Sequence, residues 1–233
     1  MVNGAQWYAM CMRYVLERPE EVAARFSVDG PVPVMTPRFN IAPTQEVPII
    51  LNDNGRIRCA MARWGLVPSW KQIAKSGEWL FNARAETLSE KPAFKGLLPG
   101  SRCIFPASGF FEWQRQRGRP LPCYLYVRNA PLLGCAGLYD WWTPAGTNEK
   151  ILTCVMITCD ANTLVRKIHG RMPAILARQL EDAWLRGEEG YLSALEPYPA
   201  GKMGCHRVSE RVNSSAGDDP GMILPIEPER RWW

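Results

Sequence analysis

The chain is 233 residues long and 46% hydrophobic, with a net charge of +5 and a pI near 8.8, which is enough apolar material for one substantial core or two small ones. No apolar run reaches the roughly 18 residues of a membrane-spanning helix, and the first residues lack a basic stretch leading into a long apolar core, so neither a transmembrane helix nor a secretory leader is expected. Arginine supplies 21 of the 28 basic residues, a bias that suits two-point contacts to phosphate or carboxylate and equally fits an arginine-rich codon usage.

In chain order, Met1 to Ala9 has no periodic pattern and reads as an extension. Pro19 to Phe26 reads as a helix, with proline and two glutamates in its first turn and Val22 and Phe26 on one face. A proline-rich stretch from Gly30 to Pro37 ends it, and Arg38 to Thr44 reads as a loop. Val47 to Leu51 is a strand, Asp53-Asn54-Gly55 a hairpin turn, and Arg56 to Trp64 an alternating strand with Ile57, Cys59 and Met61 on one face. Lys91 to Leu98 carries a helical turn or two. Arg102 to Pro106 and Phe110 to Gln114 are short strands on either side of Ala107-Ser108-Gly109, followed by a basic hairpin tip to Arg119 and a return over Leu121 to Arg128. Leu132 to Trp142 and Lys150 to Thr158 form another strand pair. Asp160 reads as the N-cap of a short helix to Lys167, Ala177 to Arg186 as an amphipathic helix stopped by Gly187, and Met203 to Val212 as a late strand. No repeat, linker or low-complexity block divides the chain. The expectation is one compact α+β domain dominated by a mixed, barrel-like sheet with a few peripheral helices, spanning 10–225, with an extension at 1–9 and a tail at 226–233 that ends in Trp232-Trp233.

Eight cysteines are present and none form a C-x-x-C pair. Six sit in or beside apolar runs, so buried reduced thiols in a cytosolic protein fit better than a zinc site or a disulfide framework. Cys11 alone lies near a chain end, close to Arg13. Ten tryptophans are core anchors for the most part, with some beside Gly, Pro or polar residues where a base could stack.

Four polar islands interrupt the apolar runs: Met10 to Tyr14, Asn82 to Thr87, Ser108 to Trp113 and Ile168 to Pro173. Together they carry a thiol, an amide, a carboxylate and an imidazole, the groups of a nucleophilic site. Cys11 reads either as a small apolar residue or, were Met10 the start and removed, as a terminal 1,2-aminothiol able to condense with an aldehyde. Arg13 would lower its thiol pKa and attract an anion. His169, beside Gly170-Arg171, reads as a proton shuttle or a structural histidine, and His206 as structural. Glu112, among Phe110, Phe111 and Trp113, is either a desolvated acid or a solvent-facing strand residue. Asn82 and Arg84 share one face of an extended segment, as sugar and phosphate contacts or as a turn residue and the ion-pair partner of Glu86.

Taken together the islands resemble the SRAP family (SOS-response-associated peptidase), the abasic-site processing proteins. The resemblance runs from Met10 to about Pro225 and rests on six ordered motifs: Met-Cys-x-Arg-Tyr at 10–14, Arg-Phe-Asn-Ile-Ala-Pro at 38–43, Trp-Gly-Leu-Val-Pro-x-Trp at 64–70, Asn-Ala-Arg-Ala-Glu-Thr at 82–87, Cys-Ile-x-Pro-Ala-x-Gly-Phe-x-Glu-Trp at 103–113 and Ile-His-x-Arg-Met-Pro at 168–173. Val208-Ser209, Val212-Asn213 and Asp219-Pro220 match its C-terminal pattern. The resemblance implies a compact β-rich domain that binds single-stranded DNA containing abasic sites, with Cys11, Asn82, Glu112 and His169 as the catalytic set and a thiazolidine crosslink through Cys11. It implies phosphate contacts by Arg13, Arg84 and Arg171, base stacking by Trp70 and Trp113, further DNA contacts by Asn40 and Pro43, no cofactor and no metal. A thiol autopeptidase step is part of the same implication, as are a monomer and a cytoplasmic location on the nucleoid when DNA is damaged. Two departures stand out: Met12 replaces the family's glycine after the cysteine, and nine residues precede Met10. The competing readings are a cysteine peptidase using Cys11, His169 and Glu112 on peptides, and a non-catalytic single-strand-binding module whose affinity would survive loss of Cys11.

Overall fold

The computed structural model describes residues 13–71, 78–115 and 119–226; the expected extension, Cys11, most of Lys71 to Gly77, the basic hairpin tip and the end of the tail fall outside these. Twelve strands are described: β1 Tyr14–Leu16, β2 Arg38–Ile41, β3 Glu46–Asp53, β4 Arg56–Trp64, β5 Asn82–Arg84, β6 Arg102–Ala107, β7 Gly109–Arg115, β8 Pro120–Val127, β9 Leu133–Trp142, β10 Ile151–Asp160, β11 Arg171–Pro173 and β12 Met203–Arg207. Three short α-helices, α1 Val22–Arg25, α2 Pro92–Lys95 and α3 Glu181–Leu185, and several single 3-10 turns lie around them.

The hairpin of β3 and β4 forms as the sequence demands. Asn54 and Gly55 both adopt positive φ, at 52° and 87°, and Asp53 pairs with Arg56 across a two-residue turn of the hand that matches strand twist. Pro48 lies outside the two-residue stretch, Ile50 and Leu51, that β6 covers, so the missing N–H costs no bond there. β4 then runs parallel to β10 at Arg63↔Thr153 and Trp64↔Cys154. With β3–β6, β6–β9 and β9–β10 antiparallel, the ring β10-β4-β3-β6-β9 closes on itself, which removes its sheet edges. Beyond β4, β10 is flanked by β5, and beyond β9 by β11. A five-stranded sheet in the order β12-β8-β7-β1-β2 packs against the ring. The mixed, barrel-like α+β architecture is thus the one expected.

Ser108 is the crossing between the two layers: β6 belongs to the ring and β7 to the second sheet. Its N–H donates to the Val15 carbonyl at 2.7 Å and its hydroxyl accepts from the Glu17 N–H at 3.0 Å, so the corner is stitched to β1. Tyr14, Trp64 and Phe105 meet edge to face, with centroids 5.5–6.3 Å apart, and join β1 to β4 and β6 in one core. Gly109 has no room for a side chain, since a Cβ there would stand 2.5 Å from the Tyr124 hydroxyl and 2.6 Å from the Leu125 carbonyl.

Several local expectations are corrected. Arg38 to Ile41 is strand β2 and not loop, because Asp218 arrives from the far end of the chain to accept from the Phe39 and Asn40 N–H groups. Asp160 ends β10, and the cap is Asn162, whose Oδ1 accepts from the N–H groups of Leu164 and Val165 at 3.0 and 2.9 Å. The late strand stops at Arg207, followed by a 3-10 turn at Glu210–Asn213. Pro19 to Phe26 and Ala177 to Arg186 each begin with a 3-10 turn and hold only four and five α-helical residues, α1 and α3. In β4 the buried positions are Cys59, Ala62 and Trp64, while Met61 is exposed. Cys59, Cys103, Cys123, Cys135, Cys154 and Cys159 are buried free thiols and Cys205 is half-buried.

Candidate active site

Glu112 lies in the middle of β7, opposite Cys123 of β8, and is 2% exposed. The solvent-facing alternative for this residue is therefore overturned. His169 sits at the apex of the tight loop from β10 to β11. The Asn162 cap starts this loop, the 3-10 turn Val165–Lys167 continues it, and the N–H groups of Ile168 and His169 both reach the Val165 carbonyl at 2.8 Å. Burial of Ile168 and pairing of Arg171 with Asp160 fix the loop's two shoulders. The result is a carboxylate and an imidazole side by side: Glu112 Oε1 is 3.5 Å from His169 Nδ1, with side chains 3% and 12% exposed. The same Nδ1 stands 3.2 Å from both the N–H and the carbonyl oxygen of Arg171. A donor and an acceptor at equal reach support either imidazole tautomer.

Asn82 begins β5, which lies parallel to β10 at Met156–Thr158; Ala83 is buried and Asn82 half-buried, so Asn82 and the exposed Arg84 share a face as expected. Glu86 is not the partner of Arg84. Its carboxylate is gripped at two points by Arg171, at 2.7 and 3.0 Å, and this hydrogen bonding holds its pKa below the usual carboxylate range. Arg171 also donates to Asp160 at 2.9 Å and to the Thr158 carbonyl at 2.7 Å.

Arg13 and Asn40 are bonded to each other. The Arg13 guanidinium donates to Asn40 Oδ1 at 2.9 Å and to the carbonyls of Val212 and Asn213 at 2.8 and 3.2 Å, and burial lowers its pKa. Asn40 is fully buried and its amide donates to the Ser214 and Gly217 carbonyls at 2.8 and 2.9 Å. Pro43 is buried, Trp70 is 64% exposed in a turn closed by Lys71 N–H on the Pro68 carbonyl, and Trp113 is half-buried with its indole N–H on Asn213 Oδ1 at 2.7 Å. His206, read as structural, bonds the Ile223 carbonyl through Nε2 at 2.7 Å. Residue-by-residue reasoning missed Asn213, which ties Trp113 to Arg13, and Asp218, which holds β2 and pairs with Arg38. For Asn213 the motif at 212–213 was a signal; for Asp218 there was none.

Together the closed ring, the second sheet and the Glu112–His169 pair define the class. Residues 10–215 match the family described as SOS response associated peptidase, and the chain belongs to this SRAP family. Among its relatives, the abasic site processing protein YoqW of Bacillus subtilis is 39% identical, over 92% of this chain and 99% of that protein. The abasic site processing protein HMCES of Gallus gallus is 34% identical, over 82% of this chain and 67% of that protein. The crystal structure of a Bacteroides thetaiotaomicron protein superposes with a TM-score of 0.83 at 29% identity, covering 92% of this chain and 99% of that one.

Proposed function

We propose that this protein processes abasic sites in single-stranded DNA by capturing them on Cys11. The observation that carries this reading is the register of β1 on β7. Followed backward along β1, the partners advance along β7: Val15 faces Gly109, Tyr14 faces Phe110, and the Arg13 carbonyl accepts from the Phe111 N–H at 2.9 Å. The next residue along β7 is Glu112, beside His169. The described chain thus begins, at Arg13, beside the part of β7 that leads into the acid–base pair. The names of the relatives support abasic sites as the target.

The chemistry needs a free α-amine, so the mature chain begins at Cys11. The ring-closed deoxyribose opens to its aldehyde, with Glu112 or His169 moving the proton between the ring oxygen and O1′. The amine adds to the aldehyde carbon, the carbinolamine loses one water to give an imine, and the thiol adds across the C=N bond, its proton passing to nitrogen. The product is a thiazolidine, formed with net loss of one water. Asn82 holds the sugar, Arg84 faces the phosphates, Arg171 adds positive charge from its place on Glu86 and Asp160, and Trp70 offers its open indole to a base. Asn40 and Pro43, both buried, shape the wall from within, and the half-buried Arg13 and Trp113 meet DNA through what remains exposed. The same thiol, with Glu112 and His169, serves removal of the residues ahead of Cys11.

The test compares proteins starting at Met1 and at Met10, weighed intact before and after mixing with single-stranded DNA carrying one abasic site. An adduct on the form trimmed to Cys11, lost in Cys11→Ala, is the expected result. Binding by both forms with no adduct on either would overturn capture and leave a binding module.

A further inference from the structure

The islands at 82–87 and 168–173 hang on opposite sides of β10: β5 pairs with Met156–Thr158 and β11 with Thr158–Asp160. One side chain spans the gap. From the first residue of β11, the Arg171 guanidinium crosses β10, donating to the Thr158 carbonyl on the way, and closes a two-point hold on Glu86 in the 3-10 turn that follows β5. Asp160 takes a further Nη1 hydrogen at 2.9 Å. The protein itself therefore engages both terminal nitrogens of Arg171, Nη1 with Glu86 and Asp160 and Nη2 with Glu86 and both oxygens of Thr158. The main chain of this same residue supplies the donor and the acceptor at 3.2 Å from His169 Nδ1.

We propose that Glu86 is a positioning residue: its hold on Arg171 fixes the main chain against which the His169 ring takes up one tautomer or the other. Planar two-point pairing engages both terminal nitrogens at once and fixes the direction of the guanidinium as well as its distance, whereas Asp160 holds Nη1 alone and Thr158 holds Nη2 alone. Without Glu86, β11 keeps its pairing with β10 but its first residue loses its tie to the β5 side, and the main-chain groups facing Nδ1 are held less firmly. The role is one step removed from the reacting atoms and does not require Glu86 to touch DNA. The competing assignment is that Glu86 occupies Arg171 only until a phosphate displaces it.

With two histidines in the chain, imidazole 15N resonances report on His169 with His206 as internal control. In the full chain, Glu86→Ala is expected to move the His169 ring-nitrogen shifts and leave those of His206 in place, with Glu86→Gln in between because the amide keeps one contact. This readout needs no DNA, so it stands or falls separately from the proposed function, on which only the kinetic arm rests. In that arm, Glu86→Ala slows adduct formation roughly tenfold while affinity for intact single-stranded DNA stays within about twofold. Unmoved His169 shifts in a folded Glu86→Ala protein would overturn the assignment. So would tighter DNA binding at an unchanged rate, which is the signature of a displaced competitor.

Discussion

Glu112 Oε1 stands 3.5 Å from Nδ1 of His169, and neither side chain is more than 12% exposed. A carboxylate and an imidazole this close and this buried are placed to act on the same substrate atoms.

The first prediction follows from that pairing. Glu112→Gln keeps the shape of the side chain and removes its charge and its capacity to take a proton. Adduct formation on abasic single-stranded DNA is expected to fall by about 100-fold or more, with DNA affinity nearly unchanged. Single-turnover gel assays beside binding titrations separate the two.

A second prediction concerns Asn40. It is 0% exposed, accepts from Arg13 and donates to two carbonyls of the C-terminal segment. Asn40→Leu leaves the guanidinium and both carbonyls without these bonds and is expected to destabilise the fold by about 1–3 kcal/mol per stranded group, short of full additivity. Urea unfolding measures it, and a loss under ~1 kcal/mol would mean that water replaces the amide.

The thiols give a third. Burial pushes the Cys59 thiol up to about 11 and the Cys159 thiol to about 12, and raises Cys103, Cys135 and Cys154 as well. Cys123 is lowered, chiefly by its hydrogen bond with Cys205, whose own thiol is raised, but Cys123 is 4% exposed. In a native-state thiol assay near pH 8, one fast-reacting group is expected, and Cys11→Ala should remove it. A fast group that persists in that variant would point to the lowered thiol of Cys123, reached by opening of its contact with Cys205.

Glu86 gives a pH dependence. Its folded pKa lies below its unfolded value of about 4.3, first because of the hydrogen bonds from Arg171. A depressed acid stabilises the fold above the unfolded pKa, and the contribution is lost as pH falls through the folded one. The Tm difference between the protein and Glu86→Gln should therefore stay constant from pH 8 to about 5 and close below about 4. Because the carboxylate is largely solvated, with 49% side-chain exposure, the difference is expected to be small.

What the sequence determined by itself is local. The β3–β4 hairpin is written in Asp53-Asn54-Gly55, where two positive-φ residues allow only a tight turn of one hand. The strands from Arg102 to Thr158 are legible because buried sheets need runs of apolar and β-branched residues. The four polar islands stand out because each breaks such a run. Tertiary structure alone decided which distant segments meet. Arg38 to Ile41 reads as loop until Asp218 satisfies its backbone donors, and Asp160 reads as a cap until β11 pairs with it. Closure of the ring rests on a parallel pairing of β4 with β10, and the meeting of Glu112 with His169 rests on two sheets packing through Tyr14, Trp64 and Phe105. Periodicity along a chain records which side of an element is buried. It does not record against what, because that depends on surfaces matching across loops whose closure costs only entropy and leaves no mark in the residues between.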